Sequence, residues 1–249
     1  VSAPRPAAAD PDRERRLAIL ERFMTPERQG RLEFALQHRR RHLVAVVDGI
    51  HDLGNASAIM RTCDGLGLHH VFLVDQAPRY RAARRTTQGS HKWLDIQRFT
   101  DAPSCASDLR ARGYQLAGAA LDPRSVPLSE LDLSRPLAVV FGNEKDGLSP
   151  AMLDACDALF HIPMLGLSQS LNVSVAAAIA LYDLQRRLSD LHGPGGDLSP
   201  TELDGLREVF YRKAIQNADA MLTRELGHAP PPLLQASEGM IAALDALDD

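Results

Sequence analysis

The pattern of hydrophobic and polar positions changes character three times along the chain. Residues 13–41 read as two short helices. Thr25-Pro26-Glu27 opens the second, with Thr25 as N-cap and Pro26 at the first helical position, and Leu32, Phe34, Ala35 and Leu36 give it a partly apolar face. From residue 42 the pattern becomes short apolar runs rich in β-branched residues. Those at 42–47, 71–74, 114–121, 137–141 and 159–162 predict buried strands, and 93–99 predicts one more. Helices are predicted at 54–66, 102–112, after Ser149-Pro150, and at 171–188. Strands alternating with helices predict an α/β domain with a mostly parallel sheet over about residues 42–190. A linker follows at 192–196, then Ser199-Pro200-Thr201-Glu202, which reads as a capping box. It opens an amphipathic helix to about Leu226, and after Pro230-Pro231-Pro232 a last short acidic helix is expected at 234–247. The Ala/Pro-rich residues 1–12 are expected to lack fixed structure. Three regions result: a basic helical N-terminal extension (1–41), the α/β domain (42–190) and an acidic helical C-terminal extension (191–249).

Composition narrows the class. The 249 residues are 45% hydrophobic and 24% charged, ordinary for a soluble globular protein. No apolar run reaches membrane-spanning length, and the first ten residues hold no apolar segment like that of a secretory signal. Cys63, Cys105 and Cys156 are odd in number, widely spaced and free of any C-x-x-C pair. That argues against a disulfide scaffold or a Cys-based zinc site and favours a reducing cytoplasm. The histidines show no ligand spacing, so no metal is expected, and Cys63 reads as core.

The net charge of −4 conceals an asymmetry: residues 1–100 carry a net +6 and residues 101–249 a net −10. Arg13, Arg15 and Arg16, then Arg39, Arg40 and Arg41, then Arg79, Arg81, Arg84 and Arg85 are bunched, and His91 and Lys92 close the last cluster. Such a basic front can meet phosphate although the body is acidic, and the competing reading is solvated helix faces and loops. With 5% aromatic residues and no stacking platform, recognition by shape and phosphate is expected rather than single-strand stacking.

The candidate chemistry sits late. The first strand is not followed by G-x-G-x-x-G and there is no Walker loop, which disfavours a nicotinamide enzyme or a P-loop nucleotidase. Gly142, Gly147 and Gly166 instead follow apolar strands. Ligands in open α/β sheets bind beyond the carboxyl ends of strands. Three segments are therefore expected to meet around one ligand: Ala119-Ala120-Leu121, Phe141 to Gly147, and Ile162 to Asn172. Ser170 and Asn172 fall at a helix start, where free N–H groups collect; plain N-capping is the competing reading. On the first helix of the domain, Asn55 lies near the N-terminus and Arg61 six residues on. Arg61 stands among apolar and small residues, so it needs an anion, or else a structural salt bridge such as one with Glu144.

Asn55 to Thr62, Phe141 to Ser149 and Ile162 to Ala177 together resemble the three ordered motifs of the SPOUT superfamily, specifically its SpoU/TrmH family of RNA ribose 2′-O-methyltransferases. The resemblance spans about Arg41 to Arg187. Gly89-Ser90-His91-Lys92-Trp93 is similar to a stretch of tRNA guanosine-2′-O-methyltransferases within it. The resemblance implies a C-terminal deep trefoil knot and a homodimer whose active sites are each completed by the partner subunit. It implies S-adenosylmethionine held at Ala119, Ala120, Leu121, Gly142, Ile162, Met164 and Leu171. It also implies a catalytic set of Arg61, Asn55, Glu144, Ser170 and Asn172. In that set Arg61, which stays protonated, would hold a phosphate and steady the emerging 2′-alkoxide. Ser170 and Asn172 would fix the ribose and orient Arg61, and Glu144 would hold the guanidinium. RNA would be contacted by Arg13, Arg16, Arg39, Arg40, Arg41, Arg84, Arg85, His91 and Lys92. The expected substrate is guanosine 18 in the tRNA D-loop; ribosomal RNA, or a non-catalytic RNA-binding factor on the same fold, are the alternatives. Two departures stand out. His51-Asp52-Leu53-Gly54 occupies a position where many relatives carry a Pro-His pair. The C-terminal extension is acidic where tRNA-modifying relatives have basic termini, so it is expected to lie on the body or the dimer rather than on RNA.

Overall fold

In the computed structural model, residues 12–49, 52–74 and 89–233 are described. The expectations for residues 1–11 and 234–247, and for Arg79, Arg81, Arg84 and Arg85, lie outside them. The described residues form two units.

The larger unit is built on a seven-stranded parallel sheet: β1 Leu43–Asp48, β2 His70–Val74, β3 Asp95–Phe99, β4 Gln115–Ala119, β5 Val126–Pro127, β6 Leu137–Phe141 and β7 Ala158–His161, in the order β3-β2-β1-β6-β4-β7-β5. All six residues of β1 are buried, as a central parallel strand covered on both faces requires. Its side chains divide by parity. Leu43, Ala45 and Val47 join Ala56, Ile59, Met60 and Cys63 of α3 (Leu53–Gly65) and Ala177, Leu181, Leu184 and Leu188 of α6 (Val173–His192). Val44 and Val46 join Cys105, Ala106 and Leu109 of α4 (Ala102–Ala111) and Met152 of α5 (Pro150–Ala155) on the other face. Cys63 is thus core. The chain runs outward from β1 through β2 to β3, then resumes on the far side of β6. That reversal opens a crevice at the carboxyl ends of the strands.

Local chemistry sets the helix ends. Asp52 caps α3 by accepting from Gly54 N at 2.7 Å, and Ser149 caps α5 from Met152 N at 3.3 Å. Asn172 is the N-cap of α6, its Oδ1 accepting from Ser174 N at 2.9 Å and Val175 N at 3.3 Å. Two details differ from the sequence pattern. Trp93, expected to begin β3, instead ends a 3-10 turn, Ser90–Trp93, entered through Gly89 at φ +81°. The two-residue strand β5 is too short to leave a periodic signal.

The smaller unit joins the two extensions. It contains α1 (Arg13–Glu21), α2 (Pro26–Gln37), α7 (Pro200–Ala214) and α8 (Ala218–Leu226). Thr25 and the Ser199/Glu202 box cap α2 and α7 as the sequence predicts. The single helix expected to Leu226 is broken, because Asn217 adopts left-handed φ 57° between α7 and α8. Asn tolerates that region better than most residues.

Charge holds this unit together. Arg16, with its side chain 2% exposed, meets Glu208 through two hydrogen bonds, Nε at 2.6 Å and Nη2 at 2.9 Å. Arg207 and Tyr211 of α7 both reach Glu33 of α2 at 2.8 Å. Arg39 is buried, with its guanidinium 5.3 Å from the Phe210 ring centre. Gly196 closes the same corner: a Cβ there would stand 2.3 Å from the Arg39 carbonyl oxygen. Glu208 of the acidic extension thus engages Arg16, and Arg39 lies against Phe210, so neither guanidinium is presented to solvent as the expected phosphate contacts would be. Glu208→Ala leaves a buried guanidinium uncompensated and should cost about 3–5 kcal/mol in denaturant unfolding. The paired Arg16→Met/Glu208→Leu replacement should cost less than either single change. A Glu208→Ala protein unfolding at the parent's denaturant midpoint would contradict this assignment.

Candidate active site

At the carboxyl ends of β4, β6 and β7 lies a cleft of about 700 Å³, closed on one side by the start of α6. All seven positions expected to hold a cofactor line it: Ala119, Ala120, Leu121, Gly142, Ile162, Met164 and Leu171. Glu144, Ser170 and Asn172 line it as well. Each lining segment leaves a strand end: Ala119 ends β4, residues 142–148 follow β6, and residues 162–172 connect β7 to α6. The β6 turn depends on Gly142, where a Cβ would stand 2.2 Å from the backbone of Gly147. Asn143 and Gly147 exchange backbone hydrogen bonds at 2.9 and 3.1 Å, which closes the turn and projects Glu144, Lys145 and Asp146 at the rim.

Three distant motifs meet through one amide. Asn55, the third residue of α3, is buried. Its Oδ1 accepts from Asn172 Nδ2 at 3.1 Å, and its Nδ2 donates to Glu144 Oε1 and, at 3.4 Å, to Asp52 Oδ2. Asn172 therefore acts twice: its oxygen caps α6 and its nitrogen holds Asn55. The capping reading left open at Asn172 is realised, and the same side chain also holds Asn55.

Arg61 is placed differently from expectation. It is exposed on α3, does not line the cleft, and forms no ion pair or side-chain hydrogen bond with another described residue. Glu144 engages Asn55 rather than the guanidinium, and Asn172 also turns to Asn55. The expected hold of Glu144, Ser170 and Asn172 on Arg61 is therefore not formed within one chain. Ser170 is exposed at the cleft.

The positions assigned to RNA contact separate into two groups. Arg40 is buried and donates to the Gly193 carbonyl at 2.6 Å, and His91 is nearly enclosed. With Arg16 and Arg39 they do not offer their charge or ring to solvent. Arg13 is partly exposed, 3.5 Å from Glu208, while Arg41 and Lys92 are exposed.

Sequence reasoning passed over three acids. Asp48, buried at the end of β1, accepts from Ser149 N at 2.7 Å and so anchors the far end of the β6 loop; an Asp closing an apolar run was the available signal. Asp52 supports Asn55. Asp122 lines the cleft, and hydrogen bonds from the Arg124 side chain and backbone hold its carboxyl down at about 2. Burial pushes the Cys105 and Cys156 thiols up to about 12, which keeps both protonated and unreactive. Among the described residues no cluster of three or more His, Cys, Asp or Glu could hold a metal ion.

The model of the SpoU rRNA Methylase family matches residues 42–182, the span that carries the sheet, the Asn55 bridge and the cleft. The chain belongs to that family. A relative from Borreliella burgdorferi, named tRNA (guanosine(18)-2'-O)-methyltransferase, is 34% identical over 208 residues, covering 84% of this chain and 95% of that protein. The crystal structure of the A. aeolicus TrmH/SpoU tRNA modifying enzyme superposes with a TM-score of 0.70 at 33% identity, covering 80% of this chain and all of that one. An AdoMet-bound rRNA methyltransferase from Sinorhizobium meliloti gives 0.55 at 30% identity over 61% of this chain and 59% of its own.

The bridge in this SpoU methylase is separable from the helix cap. Asn172→Asp keeps an oxygen to cap α6 but offers no donor to Asn55. It should unfold near the parent's temperature while methyl transfer falls about a hundredfold through misplacement of the site. Asn172→Ala should lose the transfer and also about 1 kcal/mol of stability. Parent-like transfer by Asn172→Asp would disconnect the bridge from function.

Proposed function

We propose that this chain is an S-adenosylmethionine-dependent RNA ribose 2′-O-methyltransferase acting on guanosine 18 in the D-loop of tRNA. The observation that carries the reading is the convergence of three strand-end segments on one cleft, two of which Asn55 ties to α3 through Glu144 and Asn172. The resident residues suit the cofactor. Leu121, Phe141, Ile162, Met164 and Leu171 offer apolar surface to a purine. Asp122, Glu144 and Asp146 offer negative charge to a sulfonium and an ammonium. The volume lies in the usual range for small-molecule sites. S-adenosylmethionine, when bound, supplies a methyl group made electrophilic by its sulfonium.

The chain's part is to hold and activate the other reactant. Ser170 and Asn172 orient the ribose at the cleft. The ribose 2′-hydroxyl would be turned toward that methyl and would give up its proton to the neighbouring phosphate or to water. Arg61 steadies the negative charge that develops on that oxygen; as a permanent cation it acts electrostatically and not as a base. It does so in the cleft of a second copy. Its exposure and its position off its own cleft support this. So do exposed apolar side chains: Val175, Ile179 and Tyr182, spaced along one stripe of α6, and Leu165 and Leu167 in the loop before it. The enzyme is accordingly a homodimer, and its chain threads a deep trefoil knot through the segments after β6. Arg13, Arg41 and Lys92 contact phosphate. It works in the cytoplasm, where tRNA is found; among the described residues no helix is long and apolar enough to cross a membrane.

Transfer of labelled methyl to total RNA, followed by nuclease mapping, tests the reading. Label is expected on the 2′-oxygen of guanosine 18 of tRNA. Label in ribosomal RNA would move the enzyme to the substrate class named for its S. meliloti neighbour, and no label in any RNA would overturn the proposal. Arg61→Ala should lower kcat by about a hundredfold or more and leave calorimetric affinity for the cofactor unchanged. Mixing Arg61→Ala with a Gly142→Leu partner, whose own cleft is blocked, should restore activity. Mixed dimers as inactive as the parents would place Arg61 in its own chain's site.

A further inference from the structure

The burial of Arg16 and Arg39 removes the expected phosphate contacts from the helical unit, but α2 presents another surface. Arg31, Phe34 and His38 follow one another at spacings of three and four residues and so share one stripe of the helix. Phe34 is 66% exposed, large for an aromatic side chain on a helix whose Leu32 and Leu36 are buried on the opposite side. The ring is not loose. His38 lies with its ring centre 4.1 Å from that of Phe34, the planes inclined by 32°. His38 Nδ1 donates to the Phe34 carbonyl oxygen at 2.6 Å, which fixes the imidazole against the phenyl ring. Arg28 and Arg31, six and three residues before Phe34 on the same helix, are exposed. Of the two acids on α2, Glu33 turns inward to Arg207 and Tyr211, and Glu27 holds Arg31 at 2.7 Å. The outer face is thus a preorganised aromatic pair beside two guanidinium groups, with one carboxylate.

We infer that this face of α2 is an RNA contact, in which an unpaired nucleobase of the substrate stacks on Phe34 while Arg28 and Arg31 meet the adjoining phosphates. The inference rests on the proposed action on RNA. A base offers a π-face whatever its identity, and the ring and cations here match a base with its phosphate better than they match an apolar protein surface. It departs from the expectation that the chain has no stacking platform. A composition of few aromatics hides two rings that a helix turn brings together.

The test uses the full chain and a tRNA transcript carrying guanosine 18. Phe34→Ala should weaken tRNA binding about five- to fiftyfold. Its thermal midpoint, its calorimetric affinity for S-adenosylmethionine and its oligomeric state should match the parent's. Phe34→Trp should keep parent affinity, and its added fluorescence, read against the chain's single Trp93, should be quenched by tRNA. Arg28→Ala and Arg31→Ala should each lower the slope of log affinity against log salt by about 1, and Phe34→Ala should leave that slope unchanged. A parent that binds and methylates tRNA while Phe34→Ala binds equally well overturns this inference alone. A Phe34→Ala protein that changes from dimer to monomer overturns it by showing that a second copy covers the face. A parent that binds no RNA overturns both this and the reading beneath it.

Discussion

One buried amide carries the architecture of the site. Asn55 receives a hydrogen bond from Asn172 and gives one to Glu144, and these three residues come from the first helix of the sheet domain, the last loop before α6 and the turn after β6. A buried amide left unmatched is costly, so α3 and the two loops can satisfy it only by adopting one mutual arrangement. Asn is suited to the position because it donates and accepts at once; Asp could not donate and Ser could not span both partners. The cap at α6 adds a second constraint, since the Asn172 oxygen is committed to Ser174 and Val175. The cleft is therefore shaped from the backbone outward, with Gly142 giving the turn its close approach and Asp48 pinning Ser149 at its far end.

That bridge also redistributes roles within the proposed catalytic set. Glu144 and Asn172 spend their hydrogen bonds on holding Asn55, and only Ser170 and the remaining faces of these groups look into the cleft. Arg61 is left exposed with no described partner. A permanent cation in that state is available to a substrate or a second copy without first breaking an ion pair, which suits the electrostatic role proposed for it.

Much of the larger unit was legible. The apolar runs at 42–47, 71–74 and 137–141 are continuous because β1, β2 and β6 are covered on both faces, and the glycines after β6 marked the turn that shapes the cleft. Partnership at long range was not legible. Arg16 and Glu208 are 192 residues apart in sequence, so a basic cluster read as a phosphate contact could not reveal that an acidic extension folds onto it. Arg40 is consumed by the Gly193 carbonyl for the same reason. The break at Asn217 left no Gly or Pro to mark it, and β5 is too short for periodicity to register. The phenyl ring of Phe34 was read as part of an apolar face, yet Leu32 and Leu36 suffice to bury that side of α2, leaving the ring on the outside.

The central claim is that the cleft directs a methyl group onto a ribose hydroxyl. The most direct measurement compares two tRNAs identical except at residue 18, one with guanosine and one with 2′-deoxyguanosine. Both should bind the purified enzyme with similar affinity. Labelled methyl should be incorporated stoichiometrically into the first and not at all into the second. Equal incorporation into both would place the methyl elsewhere on the RNA and contradict it.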